Sequence, residues 1–186
     1  MDRKLRVRLI LVVSNLVLLI NSPVNADQAD SNIQEGLSQY QEGLFPEAEK
    51  NFAEARSNRP EDRRLDYNLG SSYYKQGKYQ EALQDYTQSA SDDSYPQLKN
   101  NSLYNSGNAL FKMGKLKEAE KTYKKVLTLD PSDMDAKFNL EFVREQLKKK
   151  EEQEKNSDKN DSSKQNKDES EQQKSKNKEK DKKQES

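Results

Sequence analysis

Six glycines, all that the chain has, fall into three pairs of identical internal spacing, and this restricts the fold more than any other feature. Gly36, Gly70 and Gly107 are each followed seven residues later by Gly43, Gly77 and Gly114, and the first members of the pairs lie 34 and then 37 residues apart. Ala48, Ala82 and Ala119 stand five residues after the second glycine, and Phe52, Tyr86 and Tyr123 follow four further on. A frame that returns with a period in the thirties is the pattern of a solenoid of stacked helical hairpins. The first glycine and the alanine mark the close crossing of the two helices in a hairpin. The second glycine ends the first helix, because a left-handed C-terminal residue is least strained without a Cβ. The aromatic is expected to fill the gap between neighbouring hairpins. Pro46 and Pro96 are placed to open helices, and Pro60 and Pro131 to close repeats.

These positions resemble the tetratricopeptide repeat (TPR), whose 34 positions carry small residues at 8, 20 and 27, aromatics at 11, 17 and 24, and proline at 32. The expected fold is therefore all-α: a TPR helical-hairpin solenoid of about three repeats plus a capping helix. The repeats run over about 31–59, 60–92 and 95–129, and the capping helix over 132–149. In that last helix Phe138-Asn139-Leu140-Glu141 aligns with Tyr67-Asn68-Leu69-Gly70.

Composition limits how much else can fold. Only 30% of the 186 residues are hydrophobic while 35% are charged, and every Phe and Tyr lies between Tyr40 and Phe142, so the core must form within that window. From Lys148 onward there is no apolar residue, and residues 150–186 are expected to form a disordered Lys/Glu/Gln/Ser-rich tail, with helix persisting a few turns past Lys148. At the other end Arg3, Lys4, Arg6 and Arg8 precede an apolar run from Leu9 to Ile20 and then Val24-Asn25-Ala26. That order describes an export signal cleaved after Ala26, with the mature domain beginning at residue 27. The run is too short for a membrane-spanning helix, and an uncleaved anchor is the competing reading.

Lysine plus arginine equals aspartate plus glutamate at 33 each, so no charge excess points to nucleic acid. The chain has no Cys and no His, which removes thiol nucleophiles, thiolate or imidazole metal sites and Ser-His-Asp triads. No cofactor, metal or catalytic residue is expected. The paired acids Asp92 and Asp93 read as a solvated turn, and every acid is expected at an exposed position or in the tail.

A narrower resemblance rests on Tyr67-Asn68-Leu69-Gly70, the insertion near Ser94-Tyr95-Pro96, Leu103 to Phe111, Leu129-Asp130-Pro131 and Ala136 to Glu141. Together with the charged tail these are similar to the TPR component of Bat systems, named for Bacteroides aerotolerance, although Ser106 replaces the usual Leu before the glycine. The resemblance implies work at the bacterial envelope, in the periplasm, with protein partners such as von Willebrand A-domain membrane proteins of a Bat/MoxR-type system.

The TPR frame also implies a concave face lined by the first helix of each hairpin. Repeat two supplies Arg64, Tyr67, Asn68, Ser71, Tyr74 and Lys75; repeat three supplies Asn101, Tyr104, Asn105, Asn108, Phe111 and Lys112; the cap supplies Asp135, Phe138, Asn139 and Phe142. Tyr67, Asn68, Ser71, Tyr74, Asn101, Tyr104, Asn105, Asn108, Phe138 and Asn139 are the candidate protein-binding residues. Asn68, Asn105 and Asn139 form a ladder at equivalent positions, and an amide offers donors and an acceptor to an extended peptide backbone. The same amides could instead tighten helix packing. Chaperone-binding members of the family hold a C-terminal carboxylate with Lys and Arg. The corresponding places here carry Ile33, Leu37, Asn101 and Asn105, so recognition of an acidic C-terminus in that manner is not expected. The function implied is a non-enzymatic interaction scaffold. A spacer with no ligand groove and a carboxylate-dependent hydrolase are the alternatives.

Overall fold

The computed structural model describes residues 22–155. The apolar run of the export segment and residues 156–186 of the charged tail lie outside the described residues. Six helices follow one another as α1 (Ser22–Gln41), α2 (Phe45–Asn58), α3 (Arg63–Lys75), α4 (Tyr79–Ser89), α5 (Pro96–Lys112) and α6 (Leu116–Leu129). A seventh, α7, begins at residue 134, and no strand occurs among the described residues. The chain divides into two compact units, Met1–Leu140 and Glu141–Ser186. In the second, residues 141–155 are helical and carry the surface pairs Arg144–Glu141 and Lys149–Glu145.

Within the first unit each of α1 to α5 packs on the next helix, and α3 also touches α5, so the helices form a TPR-like solenoid. Three glycines set the hairpin turns. Gly43, Gly77 and Gly114 have φ of 82°, 76° and 72° and are the positive-φ glycines among the described residues. After each first helix the glycine N–H donates back to a carbonyl of the last turn (Tyr40, Tyr74, Phe111), and the next N–H reaches one residue further back (Gln39, Tyr73, Leu110). Those paired bonds satisfy carbonyls that the helix end would otherwise leave open. Pro46 and Pro96 stand in the first turn of α2 and α5, where no backbone donor is needed. Asp62 accepts from the Arg64 amide at 3.1 Å and so starts α3.

The first glycine of each pair has a different task. A Cβ on Gly36 would come within 2.7 Å of the Phe52 ring, one on Gly70 within 2.9 Å of Tyr86, and one on Gly107 within 2.6 Å of Tyr123. The repeat aromatic therefore fills space inside its own hairpin, against its own glycine, and Phe52 also shares a buried cluster with Leu65 and Leu69 of the next hairpin. Phe52, Tyr86 and Tyr123 are no more than 2% exposed, and Ala48, Ala82 and Ala119 are fully buried. Each such aromatic contributes about 2 kcal/mol by removal from water.

Between hairpins the two junctions are built differently. Arg56 of α2 reaches Asp66 of α3 at 3.3 Å and Asp85 of α4 at 3.0 Å, and Arg63 also pairs with Asp66 at 3.2 Å. Asp66 and Asp85 are 2% and 8% exposed, which corrects the expectation that every acid lies on the surface or in the tail. The sequence pattern hides this because the guanidinium that the two carboxylates share, that of Arg56, comes from another helix. Burial still pushes the Asp85 carboxyl above the ordinary range, with Arg56 opposing. At the next junction the charged set is absent: Ala90 stands at the place of Arg56, and Ser102 Oγ donates to Ser89 Oγ at 2.9 Å in a buried contact.

Boundaries differ modestly from the repeat frame. Helix α1 begins at Ser22, upstream of the expected Ser31, so residues 22–26 of the export segment are helical. The start of α7 is delayed to 134 because Asp130 accepts from the Ser132 amide at 2.9 Å and Asp133 accepts from the Ala136 amide at 2.8 Å, making a turn and then a cap. The loop acids are likewise local: Asp92 accepts from the Ser94 amide at 2.8 Å and Asp93 pairs with Lys99.

Candidate functional site

Residues at every third or fourth position of α3 and α5 remain accessible while their neighbours are buried. Leu65, Leu69 and Ser72 of α3 and Ser102, Ser106, Ala109 and Leu110 of α5 face the core. Tyr67, Asn68, Ser71 and Tyr74, and Asn101, Tyr104, Asn105 and Asn108, are half-buried or exposed. They share one stripe because the helix repeats every 3.6 residues. Phe138 and Asn139 continue it on α7, with Phe138 71% exposed. Phe142 falls in the second unit. A cavity of about 340 Å³ opens on this stripe, lined by Tyr67, Asn101, Tyr104, Asn105, Asp133 and Asp135.

Much of the polar capacity of the stripe is used internally. Asn105 Nδ2 donates to the Tyr67 hydroxyl at 3.1 Å, and Asn139 Nδ2 donates to the Tyr104 hydroxyl at 3.0 Å. Each amide thus ties its own first helix to the tyrosine of the preceding repeat. Asn108 is engaged as well: its Oδ1 accepts from Tyr123 at 2.7 Å and from Asn139 at 3.1 Å, and its Nδ2 donates to Asn105 Oδ1 at 3.4 Å. Ser71 donates to the Tyr67 carbonyl and accepts from the Tyr86 hydroxyl at 3.2 Å. Burial pushes the Tyr86 and Tyr123 hydroxyls well above the ordinary phenol range, so both remain neutral donors at physiological pH.

The ladder is thus used for packing at its second and third rungs. Its first rung differs from the others because Ile33 stands where Tyr67 and Tyr104 stand in the next two repeats. Asn68 has no hydroxyl beneath it, and its side chain makes no hydrogen bond among the described residues. The Tyr67 and Tyr104 hydroxyls accept from asparagine and keep their own O–H to donate. The repeat frame points to these residues but not to their pairing, and it misses Asp133, whose only sequence signal is its place before the apolar-periodic run of α7.

Replacing Asn105 with Ala is expected to cost about 1 kcal/mol of stability, since it removes one partly buried hydrogen bond between repeats. Urea unfolding of N105A, Y67F and the double variant checks this. The double variant should lose little more than either single one, and full additivity would mean that the bond is not formed.

The solenoid of hairpins, each closed by a left-handed glycine and packed by an aromatic on a glycine, defines a helical-repeat protein with an accessible first-helix face. Tetratricopeptide-repeat profiles match residues 33–98 and 101–133, together more than half of the chain, and the protein belongs to the TPR family. No curated protein matches the chain in sequence. Similar solved structures include the second TPR domain of human RPAP3 in complex with the HSP70 peptide SGPTIEEVD, at 27% identity and TM-score 0.59 over 64% of this chain and 98% of that one. The TPR2AB domain of yeast Sti1 in its HSP90 complex is 25% identical, TM-score 0.60, over 68% of this chain and 50% of that one. The Yersinia enterocolitica secretion chaperone SycD with a YopD peptide is 23% identical, TM-score 0.58, over 66% and 95%.

Proposed function

We propose that the protein is a non-enzymatic scaffold that binds an extended segment of a partner protein on the stripe formed by α3, α5 and the start of α7. The observation that carries this is that the Asn68 amide, which makes no side-chain hydrogen bond among the described residues, shares the stripe with two tyrosine hydroxyls that retain a proton to donate, a set suited to a peptide backbone. The peptide complex of the RPAP3 domain supports the same reading for this fold. The hydrolase alternative has less support, because the two buried carboxylates, Asp66 and Asp85, are held by Arg56 and Arg63 as ion pairs and lie away from the cavity. We place the scaffold at the bacterial envelope, acting with von Willebrand A-domain membrane proteins, on the N-terminal sequence and the Bat resemblance. Among the described residues no helix is long and apolar enough to cross a membrane.

The test is affinity capture of the tagged chain from fractionated cells, followed by calorimetric titration of the recovered partner. The chain is expected in the periplasmic fraction with its N-terminus at Asp27. Asn68→Ala is expected to weaken binding by about 1–2 kcal/mol while leaving the melting curve unchanged. An unaltered affinity would move the interaction off this face, and recovery of no partner would favour the spacer.

A further inference from the structure

The cavity on the stripe has a charge opposite to what an acidic peptide needs. Asp133 and Asp135 sit at its α7 edge, and neither makes an ion pair among the described residues. Asp133 spends one oxygen on the Ala136 amide at 2.8 Å, which leaves the other available. The opposite wall is Tyr67, Tyr104, Asn101 and Asn105, with no cation among the lining residues. The cations that share the stripe are disposed elsewhere. Arg64 is forked onto Asp62, with Nε to Oδ1 at 2.8 Å and Nη2 to Oδ2 at 2.7 Å. Lys75 and Lys112 stand at the far ends of α3 and α5, roughly 16 Å along the helix from the level of Asn101, beyond a Debye length of about 8 Å. Lys137, on α7 itself, sets its Nζ at 3.9 Å from Met134 Sδ.

We infer that this cavity receives a lysine or arginine side chain of the bound segment: the ammonium or guanidinium lies between the Asp133 and Asp135 carboxylates and the Tyr67 and Tyr104 rings, while the tyrosine hydroxyls donate to the flanking backbone carbonyl. Carboxylates give charge-assisted bonds to such a group, and the faces of the two tyrosines attract a cation. The inference rests on the groove reading above and adds the chemical class of the ligand to it. It also separates this chain from the RPAP3 domain, whose peptide carries Glu and a terminal Asp.

A positional-scanning array of fluorescent nonapeptides, probed with the full chain, with D133N/D135N and with N68A, tests it. Asn keeps the helix-capping ability of Asp133, so the double variant is expected to fold, and circular dichroism confirms this. The expected result is selection of Lys or Arg at one position by the full chain, with about tenfold weaker binding of the best basic peptide to D133N/D135N and weakening by added salt. Neutral peptides should bind both equally. Selection without basic preference, or basic preference retained by D133N/D135N, overturns the charge inference while a loss in N68A leaves the groove reading intact. Binding that is indifferent to all three substitutions overturns both.

Discussion

Replacing Arg56 with methionine is expected to lower stability at pH 7 by about 3 kcal/mol, because it strands the buried Asp85 carboxylate on α4 and takes one of two cations from Asp66 on α3. The value sits at the low end for a broken buried pair, since the Arg56 side chain is 36% exposed and Arg63 still holds Asp66. The pH dependence identifies the cause. The Asp85 carboxyl is already raised by burial, so the folded protein holds its proton more tightly than the unfolded chain does. A raised carboxyl penalises the folded state above its folded pKa, and the penalty is relieved as pH falls through that value. Removing Arg56 raises it further. The deficit of R56M relative to the parent is therefore expected to be largest at neutral pH and to shrink on acidification to about pH 4. Carboxyls lowered by their partners, such as Glu49 beside Lys78 and Asp62 beside Arg64, lose stability over the same range, but they do so in both proteins and cancel in the difference. Urea unfolding of the two proteins at several pH values reads the effect. A deficit constant with pH would assign it to the lost packing of the arginine stem.

Ala119→Glu is expected to cost about 2–4 kcal/mol through overpacking and an unpaired buried charge. Ala119 is fully buried in α6, one turn before Tyr123, whose ring already lies where a Cβ on Gly107 would stand. The α5–α6 hairpin must open to hydrate the new carboxylate. Because each hairpin is stabilised by its neighbours, the loss is expected to appear as a lower melting temperature of the whole helical signal. Lys121→Glu, on an exposed position two residues away, serves as the control and should change little. Equal melting curves for A119E and the parent would contradict the packing described for this hairpin.

Residues that act through their own backbone are legible in the sequence alone. Gly43, Gly77 and Gly114 are left-handed because a turn of this type ends a helix most cheaply at a residue without a Cβ, and their spacing by itself locates three hairpins. Pro46 and Pro96 announce helix starts for the same local reason. The accessible stripe on α3 and α5 follows from helical periodicity once those ends are known. The exception among the local features is α7, whose start depends on which of several adjacent polar residues captures a backbone amide.

The sequence by itself thus determined the all-α repeat fold, its hairpin boundaries and the face on which its polar residues gather, since each depends on backbone conformation and side-chain periodicity over a few residues. Tertiary structure alone decided how those residues are used. Whether an asparagine is free for a ligand depends on the residue one repeat earlier: Asn105 and Asn139 find tyrosine hydroxyls, and Asn68 meets a repeat with Ile33 in that place. Whether an aspartate is buried depends on an arginine from another helix, as Asp66 and Asp85 depend on Arg56. Hydrogen bonds and ion pairs act over about 3 Å, and in a solenoid these partners come from different helices, up to about one repeat apart in sequence, so their pairing emerges only when the hairpins have stacked.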